Sequence, residues 1–210
     1  MNRLDAILEE IKGRDVLDIG CIDMDGSMHL YKAMKPYVHS LTGIDTQKAI
    51  PKENIIKGNF ENIKIKKQYN CVVAGEVLEH LNNCGLFLDN IKKILSPLGK
   101  LVITTPNSLS LERMVRHFLT GRISQDASNN PGEHTQYFTF EVLERLLMRH
   151  GFKIWKKFFV NHEIRNPDFS GSSKPRIAKV VWKSKQFFKN LRPHLRDTIL
   201  VVAVHKSRKI

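Results

Sequence analysis

The chain has 210 residues, 41% hydrophobic and 26% charged, with three cysteines and a formal net charge of +13. That length suits a single domain with a substantial core. No run approaches the ~20 apolar residues of a membrane span, and the charged start from Met1 to Glu10 does not read as a signal peptide.

Asn2 to Lys12 opens with a helical pattern, placing Leu4, Ile7, Leu8 and Ile11 on one face. Strands and helices then alternate. Asp15–Gly20 reads as a buried strand and Met28–Met34 as a helix. Ser40–Asp45 and Asn54–Lys57 read as the second and third strands. Asn70–Gly75 is the fourth, followed by a helical stretch through Leu95. The turn Ser96-Pro97-Leu98-Gly99 sets up a fifth strand, Lys100–Thr105. Ser108–Gly132 is polar around "DASNNPGE" and reads as a lid or loop over the strand ends. Phe140–His150 is a helix closed by Gly151, and Phe152–Val160 and Thr198–His205 supply the last strands. Near-continuous apolar strands alternating with helices predict an α/β fold, a mostly parallel sheet covered on both faces. An antiparallel final pair fits this pattern.

Cys21, Cys71 and Cys84 lack metal-type spacing and read as small buried residues of a reducing compartment. A cytoplasmic protein is the expectation. The charge is uneven. Lys174 to Ile210 holds eleven Lys/Arg against the single acid Asp197, a balance of +10, while the rest of the chain carries only +3. The basic signal belongs to this C-terminal segment.

The loop after the first strand, Gly20-Cys21-Ile22-Asp23-Met24-Asp25-Gly26, decides the ligand class. Ligands of open α/β sheets bind beyond the carboxyl ends of the strands. A dinucleotide loop needs G-x-G-x-x-G to admit a pyrophosphate, and this loop lacks that pattern. A nicotinamide dehydrogenase is therefore disfavoured. Asp18, Asp23 and Asp25 would repel phosphates, so the loop suits a ligand with positive charge and no phosphate. Asp45, ending the second strand, can take both hydroxyls of a ribose.

"VLDIGC", Asp45 after "LTGI", "KGNFENI", "YNCVVAGEVLEHL" and "LSPLGKLVITTPN" together resemble the class I S-adenosylmethionine-dependent methyltransferases over roughly residues 14–160, with "TILVVAVHK" as the closing strand. The resemblance implies a Rossmann-like, seven-stranded, doubly wound sheet with an antiparallel last strand. It implies S-adenosylmethionine as cofactor, a sulfonium cation without phosphate. By the same resemblance Asp18, Gly20 and Cys21 belong to its methionine end, Asp45 to the ribose and Asn59 and Phe60 to the adenine. Glu76 lines the cofactor and acceptor side. Two positions depart from the family. Ile22 stands where a second glycine is usual, and Asn59 stands where an acid is common. An amide oxygen can still accept from the adenine amino group.

Glu76, Glu79 and His80 stand at i, i+3 and i+4, which on a helical turn is one face. With His134 from "GEHTQYFTF" they make a mixed oxygen and nitrogen set suited to a divalent cation such as Mg²⁺. The pattern resembles small-RNA 2′-O-methyltransferases and O-methyltransferases of the ubiquinone pathway. "EVLEH" also occurs in relatives without a metal, where the histidine is a base or simply lines the cleft. His80, His134 and Glu79 are the catalytic candidates.

In 174–196, Ile177, Val180, Val181, Phe187, Phe188 and Leu191 recur at helical spacing among lysines and arginines. The segment reads as an amphipathic helix that packs its apolar side on the domain, lies on an anionic membrane surface, or binds nucleic acid, in that order. The resulting expectation is a single domain over 1–210 that methylates an oxygen of a small-molecule, lipid-linked or saccharide acceptor. An RNA methyltransferase of the 2′-O type and a non-catalytic methyltransferase-like binding protein are the alternatives.

Overall fold

Alternation along each strand shows how the sheet is clothed. In a computed structural model describing residues 2–47, 53–62, 65–122, 134–161 and 175–205, successive strand residues fall into two buried clusters. Leu17, Val72, Leu101, Ile103 and Val201 join one, with Phe87, Ile91, Leu143 and Leu147 from helices. Val16, Cys71, Val73, Val102 and Leu200 join the other, with Ile7, Ile11, Tyr31 and Met34. Side chains alternate across a strand, so apolar residues at every position need helices on both faces.

The chain runs α1 (Arg3–Ile11), β1 (Asp15–Ile19), α2 (His29–Met34), β2 (Ser40–Asp45), β3 (Ile55–Lys57), β4 (Tyr69–Gly75), α3 (Cys84–Ile94), β5 (Leu95–Pro106), α4 (Leu111–Thr120), α5 (Phe140–Arg149), β6 (Phe152–Val160), α6 (Pro175–Leu191) and β7 (Thr198–His205). The seven strands lie in the order β3-β2-β1-β4-β5-β7-β6. β7 runs antiparallel to both β5 and β6, and the other pairings are parallel. The order reverses between β1 and β4, so the crevice above their carboxyl ends is the expected ligand site.

Side-chain caps set the helix starts. Asn2 Oδ1 accepts the Asp5 N–H at 2.8 Å, Asn83 Oδ1 that of Leu86 at 2.9 Å, and Thr139 Oγ1 that of Val142 at 3.3 Å. Gly151 follows α5 with φ +81°, as expected for a residue that must turn left-handed. A buried ion cluster fastens α1 beneath the sheet: Glu10 accepts from Lys100 of β5 at 2.6 Å and from Lys156 of β6 at 2.7 Å.

Three sequence expectations change. Ser96–Gly99, expected as a turn before the strand, lies within β5, where the pairing with β4 jumps from Tyr69↔Leu95 to Cys71↔Lys100. Ser108–Gly132 is not simply loop: its first half contains α4, and residues 123–132 lie outside the described residues. The stretch after β4 is not one helix, because a short 3-10 turn, Leu78–His80, precedes α3.

Candidate active site

Gly20 follows β1 with φ +71°, and a Cβ there would stand 2.7 Å from Val77 Cγ2. Only glycine fits a backbone that turns left-handed beneath that side chain. Its N–H donates to Ile44 O at 2.9 Å, holding the β1 and β2 ends side by side. Asp45 is buried. It accepts the Ile22 N–H at Oδ2 and the Gln47 N–H at Oδ1, both at 2.9 Å. Each oxygen keeps a lone pair for further donors. Ile22, standing in place of a glycine, thus contributes its backbone to orienting Asp45.

The loop acids divide by role. Asp23 Oδ2 accepts from the His29 N–H at 2.9 Å and the Ser27 hydroxyl at 2.8 Å, and pairs with the His29 ring at 3.0 Å. Burial opposes its charge, but these bonds outweigh burial and hold its carboxyl below the usual range. Asp25 accepts the Ser27 N–H at 2.8 Å. Both acids therefore organise the loop and the start of α2. Cys21 is buried with its Sγ over Gly43, and burial pushes its thiol up to about 12.

Asp18 is different. It is 1% exposed, and neither carboxylate oxygen has a hydrogen-bond partner among the described residues. Burial drives its carboxyl well above the usual range; Arg3 opposes this, and Asp23 and Asp45 add to it. Arg3, in the first turn of α1, reaches over the end of β4, where Nη2 lies 2.9 Å from where a Gly75 Cβ would be. Its Nε is also buried without a partner among the described residues. A buried acid and a guanidinium, each with open bonding capacity and no direct bond, flank one crevice. Arg3 was not found by sequence reasoning, since a lone arginine on a helix carries no motif.

On the far side of β2, Asn59 is exposed and its Oδ1 accepts the Glu61 N–H at 2.8 Å. Phe60 is buried edge-on against Phe87, with ring centroids 5.3 Å apart. Its ring faces the core of the α3 side.

The acceptor end is built after β4. Glu76 has φ +57° and donates its N–H to Thr104 O at 2.9 Å. That left-handed residue, followed by the 3-10 turn, breaks the single helical face expected for Glu76, Glu79 and His80. Glu79 points inward, 2% exposed, while His80 is exposed. Thr105 Oγ1 donates to Glu79 Oε2 at 3.0 Å, and Glu79 Oε1 has no partner among the described residues. Burial and the neighbouring Glu76 raise the Glu79 carboxyl to about 8.

His134 joins this turn from 54 residues away. The N–H groups of Thr135 and Gln136 donate to Glu79 O at 3.0 and 3.3 Å, and Gln136 Nε2 donates to Leu81 O at 3.1 Å. His80 and His134 rings then lie 4.6 Å apart. One ligand atom each from Glu79, His80 and His134 falls within 4.8 Å of the others. Glu76 is not part of that set. Arg113 of α4 also faces this end, close enough to feel Glu76 and Glu79, and donates to Asn107 O. Thr105, Gln136 and Arg113 were not singled out in the sequence, because their partners are remote in the chain.

The donor set fits both groups suggested by the motifs. Asp18 offers an unpartnered carboxyl whose ionised form a ligand's ammonium would favour, Arg3 offers a guanidinium to a carboxylate, and Asp45 offers acceptors to a ribose. A buried carboxylate with an open oxygen beside two imidazoles is a mixed set that a small divalent cation accepts.

A family model described as a methyltransferase domain matches residues 2–157. Curated relatives named ubiquinone biosynthesis O-methyltransferase include that of Rickettsia bellii (strain OSU 85-389), 29% identical over 140 residues, or 59% of this chain and 56% of the relative. The Rickettsia akari protein of that name is 29% identical over 169 residues, 69% of this chain and 64% of the relative. The chain thus spans less than two thirds of the length of these relatives. An S-adenosylmethionine-dependent methyltransferase structure from Archaeoglobus fulgidus superposes with a TM-score of 0.60 at 21% identity, covering 96% of this chain and 90% of its own. Magnesium protoporphyrin IX methyltransferase from Synechocystis, with bound SAH, gives 0.56 at 13% identity, covering 96% and 81%. At such identities these structures speak to the fold.

Proposed function

Because the chain belongs to the S-adenosylmethionine-dependent methyltransferases, we propose that it methylates an oxygen of a small-molecule, lipid-linked or saccharide acceptor. The observation that carries the oxygen reading is the Glu79–His80–His134 cluster at the end of β4. Transfer to oxygen needs a hydroxyl held in line with the methyl group and relieved of its proton. Two imidazoles and a carboxylate within reach of one another suit that task. The names of the curated relatives support it.

Within this reading, Asp18 takes the ammonium and Arg3 the carboxylate of the cofactor's amino-acid end. Asp45 takes the ribose hydroxyls. Gly20 and the Cys21 backbone allow close approach, and Asn59 with the backbone at Phe60 edges the adenine. When bound, the cofactor supplies an electrophilic methyl on a sulfonium. Glu76 separates cofactor and acceptor, and His80 or His134 accepts the hydroxyl proton. A divalent cation such as Mg²⁺ would be held by Glu79, His80 and His134, with Glu76 beyond that set, and would lower the pKa of the acceptor hydroxyl. One domain over 1–210 performs this, with α4, the described part of the expected lid 108–132, bordering the acceptor.

The test is methyl transfer from S-adenosylmethionine to a panel of phenolic, saccharide and lipid-linked acceptors, with products identified by mass. The expected outcome is an O-methyl product, with turnover falling ~10²-fold or more in His134→Ala. Loss with EDTA and recovery with Mg²⁺ supports the cation; turnover indifferent to EDTA removes it. Products methylated only at nitrogen or carbon, or salt-dependent methylation of RNA alone, contradict the proposal.

A further inference from the structure

Among the described residues, cations anchor α4 and α6 to the domain, with the half-buried Trp182 on the same side of α6 as Lys189. Lys189 of α6 is 3% exposed and donates to both Asp197 oxygens, at 2.7 and 2.9 Å. Arg113 of α4 donates to Asp197 O at 3.3 Å as well as to Asn107 O. A second pair, Lys185 to Glu112 at 3.1 Å, joins the helices to each other.

At 100° per residue, a helix that turns Lys189 inward turns Val180, Ser184, Phe187 and Leu191 outward. Val180, Phe187, Phe188 and Leu191 are indeed exposed. α4 behaves alike. With Arg113 inward, Met114, Val115, Phe118 and Leu119 are all exposed, Phe118 to 89%, and the helix buries no residue. A groove of about 600 Å³, lined by Val115, Leu119, Val180 and Phe188 among others, runs between the two apolar arcs. Of the six apolar residues expected to pack 174–196 on the domain, Val180, Phe187, Phe188 and Leu191 are exposed instead, while the side chains of Ile177 and Val181 lie outside the described residues.

We propose that the paired outer faces of α4 and α6 form a docking surface for an anionic phospholipid bilayer. Two adjacent exposed apolar arcs make a larger patch than soluble surfaces usually carry. The choice of occupant rests on charge. Exposed Arg116, Lys179 and Lys183 lie on the same two helices, Arg192 directly follows α6, and Glu112 is already paired with Lys185. Cationic flanks around an apolar stripe match a negatively charged headgroup layer with acyl chains beneath it. A second copy of this chain would present the same positive flanks and be repelled. α4 leaves directly from the Pro106–Ser110 end of β5, beside Glu79, so docking would hold the acceptor end against the lipid surface. The purpose of the contact rests on the lipid-linked acceptor proposed above; the contact itself does not.

The experiment is flotation of the whole chain with vesicles of phosphatidylcholine alone or with 30 mol% phosphatidylglycerol. The expected result is binding to the anionic vesicles only, weakened by 0.5 M salt. Phe118→Glu with Phe187→Glu should reduce binding ~10-fold or more, while S-adenosylhomocysteine binding and the circular dichroism spectrum stay unchanged. No binding of the wild type to anionic vesicles overturns the proposal. So does a concentration-dependent dimer, in sedimentation velocity, that the same two substitutions abolish. A chain that floats with vesicles but binds no S-adenosylhomocysteine would leave the docking surface standing and remove the methyltransferase site reading.

Discussion

Burial and Glu76 raise the carboxyl of Glu79 to about 8. A carboxyl whose folded value exceeds its unfolded one binds its proton more tightly in the native state. Ionisation in the fold therefore costs stability progressively as pH rises from the ordinary carboxylate range to about 8, and costs nothing below it. Glu79→Gln removes that cost while keeping an acceptor for Thr105. Melting curves should show the variant above the wild type in Tm at pH 8.5 and level with it at pH 4.5. A difference that does not change with pH contradicts the account. A cation held by Glu79 would favour the ionised form, so added Mg²⁺ should narrow the gap at pH 8.5. At this scale, what the sequence revealed was local. Asp18, Gly20 and Asp45 stand at strand ends, where periodicity and one glycine mark them. Arg3, Thr105 and Arg113 meet groups such as Gly75, Glu79 and Asp197 that lie far off in the chain, and no spacing encodes that. The clustering of His80 with His134 was anticipated; the left-handed turn at Glu76, which divides the expected face, was not.

Helix α1 shows how elements are fixed in place. Its Glu10 is 2% exposed and neutralises Lys100 and Lys156 from two strands that are not sheet neighbours. Burial opposes the charge of Glu10, but the two lysines outweigh it and hold the carboxyl below the usual range. This contribution is present above the ordinary carboxylate range and is lost as pH falls through the lower folded value. Glu10→Gln leaves the buried Lys100 ammonium without its counter-charge and should cost about 3 kcal/mol in urea unfolding at pH 7. A loss under about 0.5 kcal/mol would show that α1 is held by its apolar face alone. Strands were readable nearly to the residue, because a strand buried on both faces is a bounded apolar run. α4 was hidden, because its window was read together with the polar stretch after it. The orientation of α6 was hidden for a different reason. An amphipathic pattern tells which side is apolar, not which side the domain holds, and here an internal lysine pair decides.

The whole molecule brings these features to one end. Parallel strands β1, β2 and β4 deliver Gly20, Asp45 and Glu76 to the same rim. α1 brings Arg3 over it, and the segment before α5 brings His134. The strand order, with its reversal between β1 and β4, makes that rim a crevice. The most direct measurement is calorimetric titration of the purified chain with S-adenosylhomocysteine, alongside Asp18→Ala and Asp45→Ala. The account predicts a one-to-one complex with Kd of roughly 1–100 μM, weakened at least ~10-fold in each variant. No heat at millimolar ligand, or binding indifferent to both substitutions, would contradict it.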